Sequence, residues 1–221
     1  MMMYDQLINL PLFMGLGVSE MTEIVTQAHF DFRKYKEGEM IVSHGDACNR
    51  LIFVFRGLVG VDGWADDYGY EVSETLRVPV MLEPEALFGL RQRFTHDYRA
   101  AEPCSTVAIS KDEVRILSDR YDIIRLNLLN AVATKAQRRA ALLWRATPQD
   151  LEHRIIRWFT DRCLHPAGKK VFHIKMTRLA AELNDSRLDI SKALNRLQDL
   201  GYLRLTRGII TIEEIEASPL G

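Results

Sequence analysis

Between Glu113 and Trp144 the chain holds neither glycine nor proline, and this run constrains everything on either side of it. Leu129, Val132, Ala136, Ala140 and Leu143 recur at spacings of three or four, which is the stripe of an amphipathic helix. A break is expected near Ser118-Asp119. The helix is longer than a small neighbouring domain needs. Its alanines stand where a second helix can approach closely, so these five residues are the expected contacts of a homodimer. Packing of the stripe on the chain's own domain is the alternative.

Ahead of the run the pattern is β-rich and punctuated by turns. Phe30 to Tyr35 alternates and Lys36-Glu37-Gly38-Glu39 turns. Met40-Ile41-Val42 is apolar and His44-Gly45-Asp46 turns again. Leu51 to Phe55 is a buried strand stopped by Arg56-Gly57, and Leu58-Val59-Gly60-Val61 follows. Strands resume from Tyr70 to Met81 and from Tyr98 to Ile109. Short runs at this spacing indicate a small antiparallel, jelly-roll-like β-roll. A short helix from Ser19 to Ala28, capped by Ser19, is expected before it.

After the run, Thr147-Pro148 reads as a helix start, with Thr147 as cap and proline in the first turn. That helix is expected to reach Leu164 and to end at His165-Pro166-Ala167-Gly168. The class is therefore α+β in three parts. Residues 1–112 form the roll, 113–146 the long dimerisation helix, and 147–221 a C-terminal module. A length of 221 residues, 47% of them apolar, suits this division.

The C-terminal module carries the functional pattern. Val171 to Ile174 is a short strand. Met176 to Leu183 is a two-turn helix with Leu179, Ala180 and Leu183 inward. Asn184-Asp185 turns, and Ser186 to Leu200 is a second helix with Ile190, Leu194 and Leu197 inward. Tyr202 to Leu205 and Ile209 to Ile212 flank Thr206-Arg207-Gly208 as a hairpin. Strand, two helices and hairpin in this order make a winged helix-turn-helix.

The second helix would enter the major groove of double-stranded DNA. Its outward residues are Arg187, Leu188, Ser191, Lys192 and Asn195. Arg187, in the first turn, can pair bidentately with guanine. Ser186 and the amides beside it could hold a phosphate. Thr177, Arg178 and Arg207 are candidate backbone contacts. The net charge is −1, yet Lys and Arg exceed Asp and Glu by about five between Pro148 and Ile212.

These residues resemble the Crp/Fnr family of transcriptional regulators. The C-terminal likeness rests on Leu179-Ala180, Leu183, Ser186-Arg187, Ile190-Ser191, Leu194, Leu197 and Gly201-Tyr202-Leu203. The roll's turns at Gly38-Glu39, Gly45-Asp46 and Arg56-Gly57 are similar too. The resemblance implies a cyclic-nucleotide-binding-type roll and a homodimer on a two-fold operator. It also implies a partnership with RNA polymerase, which the regulator would recruit or block.

Two departures stand out. The family often follows its Ser-Arg pair with a glutamate that accepts from cytosine, and this chain has Leu188, which can only pack or meet a thymine methyl. Asp189 beside it would repel phosphate unless paired. In the roll, nucleotide-binding members carry Gly-Glu, a short helix and Arg-Ser or Arg-Thr. Here Leu90 follows Gly89, and Phe94-Thr95 falls at the Arg-Thr place. Leu90, Arg91, Arg93 and Thr95 are the candidate effector residues, with Arg91 and Arg93 able to meet a small anion. No tight cyclic AMP binding and no resident cofactor are expected, and the effector is unidentified.

Other classes fit less. A cupin-like enzyme needs several histidines and a glutamate on one metal, and the roll has no His-x-His pair, so no enzyme is expected. His29, His44, His96 and Cys48 are haem-ligand candidates by residue type alone. A winged helix that meets protein rather than DNA is the remaining alternative, which Leu188 favours. Cys48, Cys104 and Cys163 form no CxxC pair and suit a reducing interior. Met1 to Asp5 lacks the pattern of a secretory leader, and no apolar stretch reaches membrane-spanning length. A cytoplasmic protein without a membrane partner is therefore expected.

Overall fold

A computed structural model describes residues 6–219. The chain forms two compact units. Among the described residues, the first comprises 6–59 and 76–143, and the second 60–75 and 144–219. The described strands and helices bear out the α+β class.

The first unit contains α1 (Val18–Gln27) ahead of its strands. It starts one residue before the expected Ser19, and Gly17 is its N-cap. The reason is local: Glu20 accepts from the Gly17 amide at 2.8 Å, which closes the first turn without a hydroxyl cap. Four strands then build one sheet: β1 (Asp31–Tyr35), β3 (Arg50–Arg56), β6 (Val80–Leu82) and β8 (Cys104–Ser110), in the order β1-β8-β3-β6. All three pairings are antiparallel, with Phe32 opposite Val107 and Phe53 opposite both Val107 and Met81. Leu51, Phe53, Val54 and Val107 are wholly buried, so the central strands form the core.

Strands β2 (Met40–Val42) and β7 (Asp97–Ala100) pair antiparallel, with Met40 opposite Arg99. The turn at Gly38 has φ +82°, a conformation that a Cβ would strain.

The long helix is divided where it was nearly expected to be. Helix α2 (Lys111–Arg120) is capped by Ser110, whose hydroxyl accepts from the Glu113 amide at 3.1 Å. Helix α3 (Asp122–Leu142) follows. The break lies at Tyr121, not at Ser118-Asp119. Tyr121 leaves the helical region (φ −122°, ψ 107°) and its hydroxyl donates to Glu23 at 2.8 Å. Arg120 reaches the same glutamate. Two anchors onto α1 therefore set the corner, which no helical period could show. Asn127 ties α3 to the carbonyls of Leu12 and Met14.

In the second unit β4 (Leu58–Trp64) and β5 (Tyr70–Arg77) supply a hairpin, of which residues 60–75 belong to this unit. Helix α4 (Leu151–Asp161) starts later than expected. Asp150, not Thr147, is the cap: its carboxylate accepts from the His153 amide at 3.0 Å. The helix also stops three residues short of Leu164, at the C-cap Arg162. Then come β9 (Lys170–Ile174), α5 (Met176–Leu183), α6 (Arg187–Asp199), β10 (Arg204–Thr206) and β11 (Ile209–Ile212). Strand β10 begins two residues after the expected Tyr202.

The sheet of this unit runs β10-β11-β9-β5-β4. Strand β9 is antiparallel to both β11 and β5, with Phe172 opposite Ile210 and Val72. Its core joins Phe159, Phe172, Leu179, Ile190, Leu194 and Leu197. Val72, from the hairpin, is part of that core. No helix of the described residues is long and apolar enough to cross a membrane.

Candidate nucleic-acid interface

The helix-turn-helix is built by chain reversal between α5 and α6. Asn184 takes the left-handed conformation (φ 48°) that ends α5, a region asparagine tolerates better than most residues. Asp185 then donates its amide to the Ala180 carbonyl at 3.0 Å. Arg154, from α4, braces the same turn. It donates to Asp185 at 2.6 Å and to the Leu183 carbonyl at 3.1 Å. The Arg154 hydrogen bond holds the Asp185 carboxyl below its ordinary range. Sequence reasoning missed Arg154, because nothing in its own helix marks it as a brace for a turn thirty residues on.

Ser186 caps α6. Its hydroxyl accepts from the Asp189 amide at 3.1 Å and donates to the Asp189 carboxylate at 2.7 Å. The Ser186 amide is held by Asp185 at 2.8 Å. Asp189, expected to repel phosphate unless paired, thus has a local partner, and Lys192 stands 3.7 Å from it. The cap fixes the helix start, while it occupies both of the groups by which Ser186 would have held a phosphate.

Along α6, Ile190, Ala193, Leu194 and Leu197 are buried. Arg187, Leu188, Lys192 and Asn195 are exposed and Ser191 is half-buried. The five therefore share the face opposite the core. Leu188 is 63% exposed, an apolar side chain standing at the outward start of the helix. Thr177 is exposed in the first turn of α5. Arg178, one residue on, is half-buried and paired with Asp67 at 2.5 Å and Glu182 at 2.7 Å. Arg207 is exposed at the β10–β11 turn, which Gly208 closes with φ +75°.

The candidate effector residues of the roll lie differently. Leu90 and Arg91 are exposed. Arg93 donates to the Gly45 carbonyl at 2.6 Å. Phe94, at the place of the family's arginine, is 2% exposed and part of the core. Thr95 gives both its amide and its hydroxyl to Glu83 Oε2, at 2.8 and 2.9 Å. The other carboxylate oxygen accepts from Tyr98 at 3.1 Å and lies 2.9 Å from His96 Nδ1. Burial alone would raise the Glu83 carboxyl, but the His96 and Thr95 hydrogen bonds outweigh it and hold the group below its ordinary range. Sequence reasoning missed Glu83 altogether; its sole mark was its place just before a proline.

Of the histidines and cysteine considered as ligands, His96 faces Glu83 and His44 lies 2.9 Å from the Thr95 carbonyl. Burial pushes the Cys48 thiol up to about 11, so it is a neutral thiol near pH 7. Among the described residues no group of three or more His, Cys, Asp or Glu is arranged to hold a metal ion.

Comparison with known proteins agrees with this architecture. Residues 32–121 match the cyclic nucleotide-binding domain. The chain is 24% identical to a cyclic AMP receptor protein of Thermus thermophilus over 209 residues, covering 92% of this chain and 93% of the relative. It is similar in fold to the Thermus thermophilus catabolite activator protein, with a TM-score of 0.51, 22% identity and 94% of each chain covered. A second Thermus thermophilus regulator of the Crp/Fnr family matches over 84% of this chain and 95% of its own, at 23% identity and a TM-score of 0.45. Residues 32–121 are thus similar to the cyclic nucleotide-binding domain, and the chain as a whole shares the fold of the Thermus thermophilus catabolite activator protein.

Proposed function

We propose that this chain is a transcriptional regulator of the Crp/Fnr type, which binds double-stranded DNA through α6 and works as a homodimer on a two-fold operator. The observation that carries the reading is the division of α6. One face is sealed into the core, and the other presents Arg187, Leu188, Lys192 and Asn195 to solvent. Such a helix, fixed at its N-terminus by a capped turn, has the form that enters a major groove. Leu126 and Leu129 on α3 are 52% and 57% exposed, and they supply the apolar stripe for a second copy. RNA polymerase is the partner this reading implies.

The same reading gives the roll no cyclic AMP. Thr95 already serves a buried carboxylate of the chain, and a phosphate brought to it would meet Glu83. No arginine stands at the Phe94 place to offset that repulsion.

The test is selection of bound sequences from random duplexes, followed by salt titration. Two-fold symmetric sequences are expected, with affinity falling steeply in salt as phosphate-bound counterions are released. A purified protein whose duplex binding is absent at low salt would overturn the reading. The exposed Leu188 would then favour a winged helix that meets a protein surface.

A further inference from the structure

Arg178 lies in the first turn of α5, beside the exposed Thr177 and at the N-terminal end of the helix-turn-helix. That position suits a contact with the phosphate backbone. Yet its guanidinium is occupied by an acidic hairpin tip. One terminal nitrogen donates to Asp67 Oδ2 at 2.5 Å, and the other meets Glu182 Oε1 at 2.7 Å. Its Nε is buried with no acceptor among the described residues. The Asp67 carboxylate is itself held in place, because Oδ1 accepts from the Gly69 amide at 2.9 Å. The Gly69 backbone presses on the guanidinium so closely that an added Cβ would lie 2.9 Å from Arg178 Cζ.

The contact belongs to a circuit that leaves the hairpin and returns to it. Glu182 accepts from Arg162 at 2.9 Å through its second oxygen, and Arg162 donates to the Tyr70 hydroxyl at 3.0 Å. Arg162 also lies over the Trp158 ring at 4.0 Å. The inner part of the hairpin is anchored independently by β5–β9 pairing and by Val72 in the core. Asp67, at the tip, is half-exposed and contributes no core area. An exposed ion pair of this kind adds little to stability, about 0–1 kcal/mol at the median. The tip therefore has another use available to it.

We propose that Asp67 is an internal decoy for DNA phosphate: its carboxylate holds Arg178 and withholds it from the phosphate oxygens of a nonspecific duplex. The inference rests on the DNA-binding reading above and adds an autoinhibitory contact to it. While the tip is closed, Arg178 cannot contribute a counterion-releasing contact. Asp66 beside Asp67 adds a second negative charge to the same tip, so an approaching phosphate is also repelled.

The test is a double-mutant cycle on full-length protein, read by fluorescence anisotropy with a nonspecific duplex between 0.05 and 0.3 M salt (about the range in which such slopes are resolved). Asp67→Asn is expected to steepen the slope of log affinity against log salt by about one. At about 0.1 M salt that corresponds to about eightfold tighter binding. In an Arg178→Ala background the same substitution should change neither slope nor affinity. A Gly69→Ala variant, which displaces the guanidinium without altering charge, should move the slope in the same direction as Asp67→Asn.

Equal tightening by Asp67→Asn in both backgrounds would overturn the proposal, since it would mean general charge repulsion and no decoy. An unchanged slope with a lowered thermal midpoint would overturn it too, leaving a plain structural ion pair. Wild-type protein that binds no duplex at low salt would remove the DNA reading itself. Wild-type binding with an insensitive Asp67→Asn variant would remove this inference alone.

Discussion

Lys170 Nζ and Glu74 Oε2 lie 2.6 Å apart, and the two side chains are 0% and 3% exposed. The pair joins β9 to β5 across the sheet of the second unit. Glu74 also accepts from the amides of Leu164 at 2.6 Å and His165 at 3.2 Å. It thus serves the chain just after α4 as well as the lysine. Removing one member of a buried pair leaves a desolvated charge, at about 3–5 kcal/mol. Lys170→Met should accordingly destabilise the protein by about that amount in denaturant unfolding. Adding Glu74→Gln should restore part of the loss, because the amide oxygen can still accept from Leu164 without a buried charge. No recovery in the double variant would mean that the two backbone contacts, not the ion pair, hold this corner.

Glu83 gives a pH signature. Its carboxyl is held below its ordinary value of 4.5 by His96 and Thr95, despite the opposing effect of burial. A depressed carboxyl adds stability that is fully present above the ordinary value and is lost as pH falls through the folded one. Wild-type unfolding midpoints should therefore fall with acid below about pH 4.5. Glu83→Gln should be less stable at pH 7 by about 1–3 kcal/mol, the range for a broken buried hydrogen-bond set. The two proteins should converge as the pH falls through the depressed folded value and the carboxyl is protonated. Parallel curves from pH 7 to the acid limit would show that Glu83 carries no such linkage.

What the sequence showed and hid follows from the range of each interaction. The helix-turn-helix was legible because Ile190, Leu194 and Leu197 repeat at helical spacing and Ser186 caps locally. The same logic misled at Thr147-Pro148, where a good local start lost to Asp150, whose carboxylate takes the His153 amide. Tyr121 was hidden because its break depends on Glu23, far away in sequence. The outward face of α6 was readable residue by residue. The occupancy of Arg178 by Asp67 was not, since 111 residues separate them and no period links a hairpin tip to a helix start.

The proposed reading face of α6 supports a substitution test. Arg187 is exposed in the first turn of α6 and no hydrogen bond or ion pair competes for it among the described residues. Arg187→Ala should cost about 1–3 kcal/mol at a selected site and relax preference at one base pair. Leu188→Glu should change which base is preferred next to it, because a carboxylate can accept from the cytosine amino group and leucine cannot. Repeating the random-duplex selection with each variant reads both effects. Selected sequences identical to wild type for both variants would place the reading residues elsewhere.

The stripe on α3 makes the last prediction. Ile124 is buried against its own unit, whereas Leu126 and Leu129 face solvent and Val132 is half-buried. Ala136 and Ala140 continue the line as exposed small residues, and Leu143 is 82% exposed just beyond the helix. An apolar line of this length gains from a partner helix, at about 25 cal/mol for each Å² removed from water. Leu129→Asp would place a charge at the middle of that contact, where desolvation is costly. Sedimentation velocity should find the wild type as a dimer and the variant as a folded monomer. Because a two-fold site gains affinity from both halves of a dimer, the monomer should also bind a palindromic duplex far more weakly than the wild type. It should retain its affinity for a half-site. A variant that sediments as a dimer would assign the interface to another surface.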